Sequence, residues 1–236
     1  MMAEPVRTSA PGRVPLSRDR VLRAAVDVAD TGGIGSLTIR SLAQELGVKP
    51  MSVYHYVANK DEIIDGIVDL VYSEIELPTS DGDWYSAMRR RAISARRVLR
   101  IHPWAIPLLQ SRTSPGPATL AHHNAVIGSL RAGGFSVEMT AHAFALIDSY
   151  VFGFALSENS LPINGPETVS EVAESMMLQY LAQAYPSLLE FTNEHVLKPG
   201  YDFGAEFEFG LNVILDGLKR SNPDNSSDVP VSRRAT

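Results

Sequence analysis

Between positions 38 and 60 the chain gathers side chains that can read a nucleic-acid duplex: Thr38, Arg40, Lys49, Pro50, Met51, Ser52, Tyr54, His55, Tyr56 and Lys60. Arg40, Lys49 and Lys60 bring the charge that a phosphate backbone attracts. The hydroxyls of Thr38, Ser52, Tyr54 and Tyr56 and the imidazole of His55 can hydrogen-bond to phosphates or base edges, and Met51 can pack against a thymine methyl. The same residues would also suit a plain helical hairpin with an aromatic-rich turn, so the elements that carry them matter.

Those elements read as two short helices joined by a tight turn. Thr38 is a good N-cap, and Ile39, Leu42, Ala43 and Leu46 recur at helical spacing and share one apolar face. Gly47 can enter the left-handed region and stop the helix. Pro50 then sits at a first-turn position, where its missing N–H is no loss. A second helix over 50–56 is too short to stand alone and must lean on the first, with Val53 and Val57 facing inward. Asn59 is the N-cap of a further helix with Asp61 and Glu62 in its first turn, which puts Lys60 where backbone N–H groups could share a phosphate. Helix, glycine turn, helix is the layout of a helix-turn-helix, whose second helix enters the major groove.

Catalysis finds less support. The six histidines are His55, His102, His122, His123, His142 and His195. His122 and His123 are adjacent and point about 100° apart on a helix, a poor geometry for sharing a metal. HExxH, GxSxG and GxxxxGK[ST] are all missing, and Gly32-Gly33 lacks the strand that a phosphate loop follows. No enzyme, metal or cofactor is expected.

Composition bounds the rest. At 236 residues, 44% of them hydrophobic and 20% charged, the chain can bury a sizeable core. With no cysteine it can build neither a disulfide framework nor a cysteine zinc site. No apolar run of about 18 residues is free of charge, and the first 20 residues hold no secretory-type apolar stretch; a cytoplasmic protein away from membranes is expected. The net charge of −6 divides unevenly. Residues 1–60 hold eight Lys or Arg against five Asp or Glu, about +3, which leaves about −9 for the remainder. A basic head on an acidic body suits a protein that touches phosphate at one end only.

Along the chain, residues 1–16 read as a flexible arm with Pro5, Pro11, Gly12 and Pro15; a disordered tail accounts for it, although Arg7 and Arg13 could add phosphate contacts. Ser17 caps a first helix with a stripe of Val21, Leu22, Ala25, Val28 and Ala29, and with the helix-turn-helix this makes a three-helix head over 17–62. From Asp61 the apolar period runs on through Ile75, a long helix that could act as a lever into the body. Next comes an arginine-rich helix, with Arg89, Arg90, Arg91, Arg96, Arg97 and Arg100 expected mostly on a solvated face. A helix over 118–132 follows, then a strongly apolar helix over 137–158, further helices over 171–184 and 188–197, and a last one over 202–219. The 137–158 helix is hydrophobic on most sides, so a second subunit is its expected cover. Residues 221–236 read as a disordered tail. No alternating strand pattern occurs, so the fold is expected to be all-α: a three-helix head fused to a helical ligand-binding and dimerisation domain over 63–220.

Gly35-Ser36-Leu37-Thr38-Ile39-Arg40, Leu42-Ala43-Gln44-Glu45-Leu46-Gly47-Val48, Val53-Tyr54-His55-Tyr56-Val57 and Asn59-Lys60 closely resemble the DNA-binding domain of the TetR (tetracycline repressor) family, over about residues 17–75. Asp83-Trp84, Arg100-Ile101-His102-Pro103-Trp104, Gly133-Gly134-Phe135-Ser136, the stretch 150–156, and Phe207-Glu208-Phe209-Gly210-Leu211 with Leu215-Asp216-Gly217-Leu218 resemble the C-terminal domain of tetracycline-repressor-like proteins. The resemblance implies a homodimer whose 137–158 and 202–219 helices pair with their copies in a four-helix interface. It implies repression from a palindromic double-stranded DNA operator and release by a small-molecule effector. In an ungapped alignment from Trp84, the family's metal-holding histidine falls near Leu109 and its drug contacts near Arg91 and Ala95, which points away from tetracycline and its magnesium. Trp104, Leu108, His122, Val126, Phe144, Asp148, Phe152, Met176, Met177 and Tyr180 would line a pocket for a largely apolar molecule with one or two polar groups. Each of them also fits plain core or dimer interface. The other reading left by the residues is an all-α small-molecule-binding or interaction protein that does not read DNA.

Overall fold

The computed structural model describes residues 15–79, 83–160 and 185–222, and every regular element among them is helical. The expected helix over 171–184, with Met176, Met177 and Tyr180, lies outside the described residues, as do residues 1–14 of the expected 1–16 arm and 223–236 of the expected 221–236 tail. The chain divides into two compact units, one ending at Ile67 and the other starting at Val68.

In the first unit, α1 (Arg18–Gly32) starts at Ser17, whose hydroxyl accepts from the Arg20 N–H at 3.2 Å, and stops at Gly33 with φ 72°. Helix α2 (Ile39–Glu45) opens on a capping box: the Ser41 N–H donates to Thr38 Oγ1 at 3.0 Å while the Thr38 N–H donates to Ser41 Oγ at 2.9 Å. Gly47, at φ 64°, closes the helix. The Val48 N–H reaches back to the Ala43 carbonyl at 2.9 Å and the Gly47 N–H to Gln44 at 3.1 Å, a Schellman closure. Helix α3 (Pro50–Val53) is a single turn that unwinds over Tyr54, His55 and Tyr56, shorter than the 50–56 expected. Helix α4 (Lys60–Glu74) begins when Asn59 Oδ1 accepts from the Glu62 N–H at 2.8 Å and Glu62 Oε2 accepts from the Ala58 N–H at 2.7 Å. Val21, Leu22, Ala25 and Ala29 of α1 are buried with Leu42, Ala43, Leu46, Val53, Val57 and Ile63. The expected stripe residue Val28 is only half-buried.

The second unit holds the rest of α4 with α5 (Trp84–Ile101), α6 (Ile106–Leu109), α7 (Pro117–Ala132), α8 (Val137–Ser160), α9 (Pro186–Phe191) and α10 (Glu206–Ser221). A three-residue 3₁₀ turn over Phe203–Ala205 precedes α10, where a helix from 202 was expected. α8 lies against α5, α7 and α10, and α5 also meets α7 and α10. Gly133 ends α7 directly beneath Trp84: a Cβ there would collide with the indole, which excludes any larger residue from this turn. Phe135, fully buried, meets the same indole edge-on at 4.7 Å.

The arginines of α5 are the main departure from expectation. Arg91 is 1% exposed rather than outward. Arg89 pairs with Glu208 of α10 at 2.5 Å. Arg96 pairs with Glu158 of α8 at 2.6 Å and lies over the rings of Phe154 and Phe207, 5.3 and 4.9 Å from their centroids. The positive run thus ties α5 to the acidic residues of its neighbours.

By length and apolar content α8 could cross a membrane, with 39% of its most apolar window buried inside the chain. Its buried face carries Asp148 into an ion pair with Arg91, a contact made by protein rather than by lipid.

The first turn of α7 is capped by a residue of another helix. Asp69 of α4 accepts from the N–H groups of Ala118 at 3.2 Å and Thr119 at 2.8 Å, and from the Thr119 hydroxyl at 2.9 Å. Asp69→Ala strips those three donors of their acceptor in a half-buried site. The expected loss is about 2–3 kcal/mol, read as a lowered urea midpoint of the protein with an unchanged m-value.

Candidate functional site

In the first unit none of the ten residues singled out in the sequence is buried. Thr38, Arg40, Lys49, Pro50, Met51, Tyr54, His55 and Lys60 are exposed, and Ser52 and Tyr56 are half-buried. Met51 stands 71% exposed, an apolar side chain left largely outside the core. Beneath them Val53 and Val57 are 0% and 2% exposed, so the turn of α3 is pinned from below and presents its other face outward. Arg40, Lys49 and Lys60 make no ion pair among the described residues, which leaves three cations on this face without an internal counter-charge. A groove of about 680 Å³ runs beside Lys49, lined by Pro15, Leu16 and Arg20 together with Lys49, Ser52, His55 and Tyr56. Arg20 is an addition to the sequence reading. Three residues past the Ser17 cap, it faces outward from α1 into the groove, a position that the buried stripe of that helix already implied.

The face is held from behind by one carboxylate. Glu62 accepts from the Ala58 N–H and pairs with Arg18 of α1 at 3.3 Å. The Ala58 N–H first, and Arg18 with it, hold the Glu62 carboxyl below its ordinary range.

In the second unit, two of the pocket candidates meet at a residue that the sequence reading had placed outside. Arg91 Nε–H donates to His122 Nε2 at 3.0 Å, and its Nη1 donates to Asp148 Oδ1. Arg91 and His122 are fully buried and Asp148 is 7% exposed. A wall of rings stands beside them. Tyr72 of α4 lies 5.4 Å from His122 and 5.5 Å from His123, and His123 lies 5.4 Å from Phe144. Val126, Phe152 and Trp104 are buried too, and Leu108 is half-buried; the Trp104 ring lies 6.0 Å from that of His102. Phe144 also lines an apolar cleft of about 450 Å³ between α7 and α8 with Ile127, Arg131, Val137, Thr140 and Ala141. Met176, Met177 and Tyr180 fall outside the described residues.

Arg91, Tyr72 and His123 are the residues that sequence reasoning missed here. A signal existed for Arg91. The buried face of α5 runs Trp84, Met88, Ala95, Val98, and Arg91 sits in that register; its charge, read as a mark of the surface, masked the period.

Burial drives the electrostatics. Desolvation, reinforced by the Arg91 charge and by His123, pushes the His122 imidazole down to about 3. Burial likewise lowers His123, against the pull of Asp148. Tyr72 is pushed up to about 12, first by burial and then by the Asp148 carboxylate. At neutral pH the cluster therefore holds one cation, one carboxylate, two neutral imidazoles and a phenol.

Residues 77–221 match the family described as the tetracyclin repressor-like C-terminal domain, and residues 21–67 match bacterial regulatory proteins of the tetR family. The chain is 34% identical over 220 residues to the HTH-type transcriptional repressor DrrR1 of Streptomyces coeruleorubidus, covering 89% of this chain and 80% of that protein. It is 31% identical over 204 residues to an HTH-type transcriptional regulator of Saccharopolyspora erythraea, covering 86% and 84%. Among solved structures it is similar to the TetR family protein ActR of Streptomyces coelicolor in complex with actinorhodin, with a TM-score of 0.74 at 28% identity over 89% of this chain and 99% of that one.

Because His122 is held neutral when folded yet takes up a proton near its ordinary value of 6.5 when unfolded, the unfolded state binds more protons between about pH 6.5 and 3. Its contribution to stability is complete above that window and falls as pH drops through it, by up to about 1.4 kcal/mol per pH unit. Thermal melts from pH 7 to 4.5 should show a shallower fall in Tm for His122→Asn than for the unsubstituted protein; parallel curves would show that His122 is not the titrating group.

Proposed function

The chain belongs to the tetracycline-repressor family of bacterial transcriptional regulators, and we propose that it silences a gene from a palindromic operator and lets go when a small molecule enters its C-terminal unit. The observation that carries this reading is the outer side of the head: Arg40, Lys49 and Lys60, which make no ion pair among the described residues, with exposed Tyr54, His55 and Met51, over Val53 and Val57 that are committed to the core. Such a surface gains nothing for folding and suits a phosphate backbone and a major groove. In this reading Thr38, Arg40, Lys49, Ser52, Tyr54, His55, Tyr56 and Lys60 make the DNA contacts, with Pro50 and Met51 at the helix start.

Residues 1–16 are assigned as an arm, 17–62 as the DNA-binding head, 63–220 as the effector and dimer domain, and 221–236 as a tail. The protein works in the cytoplasm, where its DNA is, and no catalytic role is assigned. It acts as a homodimer. α8 and α10 supply the surface for the partner, with Leu146 and Leu156 on one and Phe209 and Val213 on the other, all at least 46% exposed in the single chain. In the dimer two heads can address successive major grooves, roughly 34–36 Å apart. The effector site lies around Trp104, Leu108, His122, Val126, Phe144, Asp148 and Phe152, extended by Met176, Met177 and Tyr180. Its occupation weakens the operator complex by differential affinity for the two states of the dimer.

The test is a mobility-shift titration, across a salt series, with the DNA that flanks the protein's own gene. A tight, salt-sensitive shift on one palindrome is expected. Lys60→Ala should weaken binding evenly across sequences and reduce the salt slope by about one unit for each phosphate that Lys60 neutralises. Tyr54→Ala should weaken operator binding by about tenfold or more, a change of about 1–3 kcal/mol, with the dimer intact by gel filtration. Unchanged affinity in both variants would remove these residues from the interface.

A further inference from the structure

Arg20, on the first turn of α1, stands at a divide between two kinds of surface. On one side lies the groove of about 680 Å³ that it shares with Lys49, Ser52, His55 and Tyr56. None of the described residues that line this groove is an Asp or Glu, although the chain carries 27 acidic residues against 21 Lys and Arg. On the other side a groove of about 450 Å³ is lined by Asp19, Asp27 and Glu45 together with Arg20 and Arg23. Pro15, Arg20 and Leu46 border both, so the character of the lining changes across one arginine.

The acid-free side holds what a phosphodiester chain requires. Arg20 and Lys49 bring two cations from two different helices, and the Ser52 and Tyr56 hydroxyls and the His55 imidazole add hydrogen-bonding groups between them. The seat is set before any ligand arrives. Val21, Leu22, Ala24 and Ala25 are buried, which fixes the rotation of α1 about its axis, and Ser17 Oγ accepts from the Arg20 N–H, which orders the turn that Arg20 leaves from. The acidic side repels a phosphate chain, and there Arg23 pairs with Asp19 at 2.9 Å.

We propose that Arg20 grips a backbone phosphate of the operator, that the strand lies in the groove between α1 and α3, and that the DNA footprint of the head ends at Arg20. This rests on the operator-binding reading above and extends it to a helix outside the helix-turn-helix. A phosphate contact carries no base information, so Arg20 sets affinity and register rather than sequence choice.

The test compares two arginines of α1 on opposite sides of the divide. Binding of the full-length protein to a labelled duplex from the DNA flanking its own gene is followed by anisotropy from about 50 to 200 mM salt. Arg20→Ala should lower the salt slope by about 0.9 for each phosphate released, about two units for the two protomers, and weaken binding about tenfold at the low-salt end. Arg20→Lys keeps the charge and should keep the slope. Arg23→Ala removes the same charge from the acidic side and should leave the slope within about half a unit of the unsubstituted value. If Arg20→Ala fails to fold by circular dichroism, Arg20→Gln takes its place with the same expected loss. An unchanged slope without the Arg20 charge, or an equal fall in Arg23→Ala, overturns the proposal; the second result would mean that the overall charge of the head acts and no seat exists. A duplex that stays unbound at every salt concentration overturns this inference and the operator reading together, whereas a bound duplex with an unchanged slope removes this inference alone.

Discussion

A helix of four residues cannot hold itself together, and the head is organised around that fact. α3 has too few internal hydrogen bonds to offset its ordering cost, so its shape is imposed by its surroundings. Val53 and Val57 anchor it from below, the Schellman closure at Gly47 fixes its angle of entry, and Pro50 presets its first turn. Each of these devices acts on the inner side or at an end. The outer side is therefore left with no structural duty, and there the chain carries Lys49, Met51, Ser52, Tyr54 and His55. An open outer face and a marginal helix are two consequences of one arrangement.

The body meets the opposite problem, a charge in its interior. Burying a guanidinium is tolerable only when it is paired and hydrogen-bonded, and Arg91 has Asp148 and His122 for that purpose. The three residues come from α5, α8 and α7, so satisfying one charge ties three helices together. Arg91 Nη2 and His122 Nδ1 remain without a partner among the described residues, a buried cost with no gain for folding. Cores that only fold are usually apolar or fully satisfied, and sites that bind keep such groups open. Arg96, further along the same helix, behaves differently. It spends its charge on Glu158 and its flat face on Phe154 and Phe207, and it serves packing alone.

α8 joins these roles. One face carries Asp148, Val151 and Phe152 into the body, while Leu146 and Leu156 remain on the surface of the single chain. Exposed apolar area of this kind suits a partner surface, and it lies on the helix that also positions the acidic partner of Arg91. A change in the cluster and a change at that exposed face therefore share an element.

The order of residues alone placed most of the described elements and several of their ends, although α3 stops at Val53 and α10 starts only at Glu206. Ser17, Thr38, Gly47, Pro50 and Asn59 act within three or four residues of themselves, so their caps and stops could be read locally, and the face opposite Val53 and Val57 followed from helical period. The all-helical class and the residues of the head's outer surface were legible in the same way. Where Arg91 goes was not, because a charge is buried only when partners 31 and 57 positions away arrive beside it. The same holds for Asp69, which caps a helix about 50 residues downstream, and for Tyr72 and His123, whose ring contacts join α4 to α7. Local chemistry repeats along a helix and can be counted; the pairing of distant charges depends on how helices cross, which no spacing in the chain encodes.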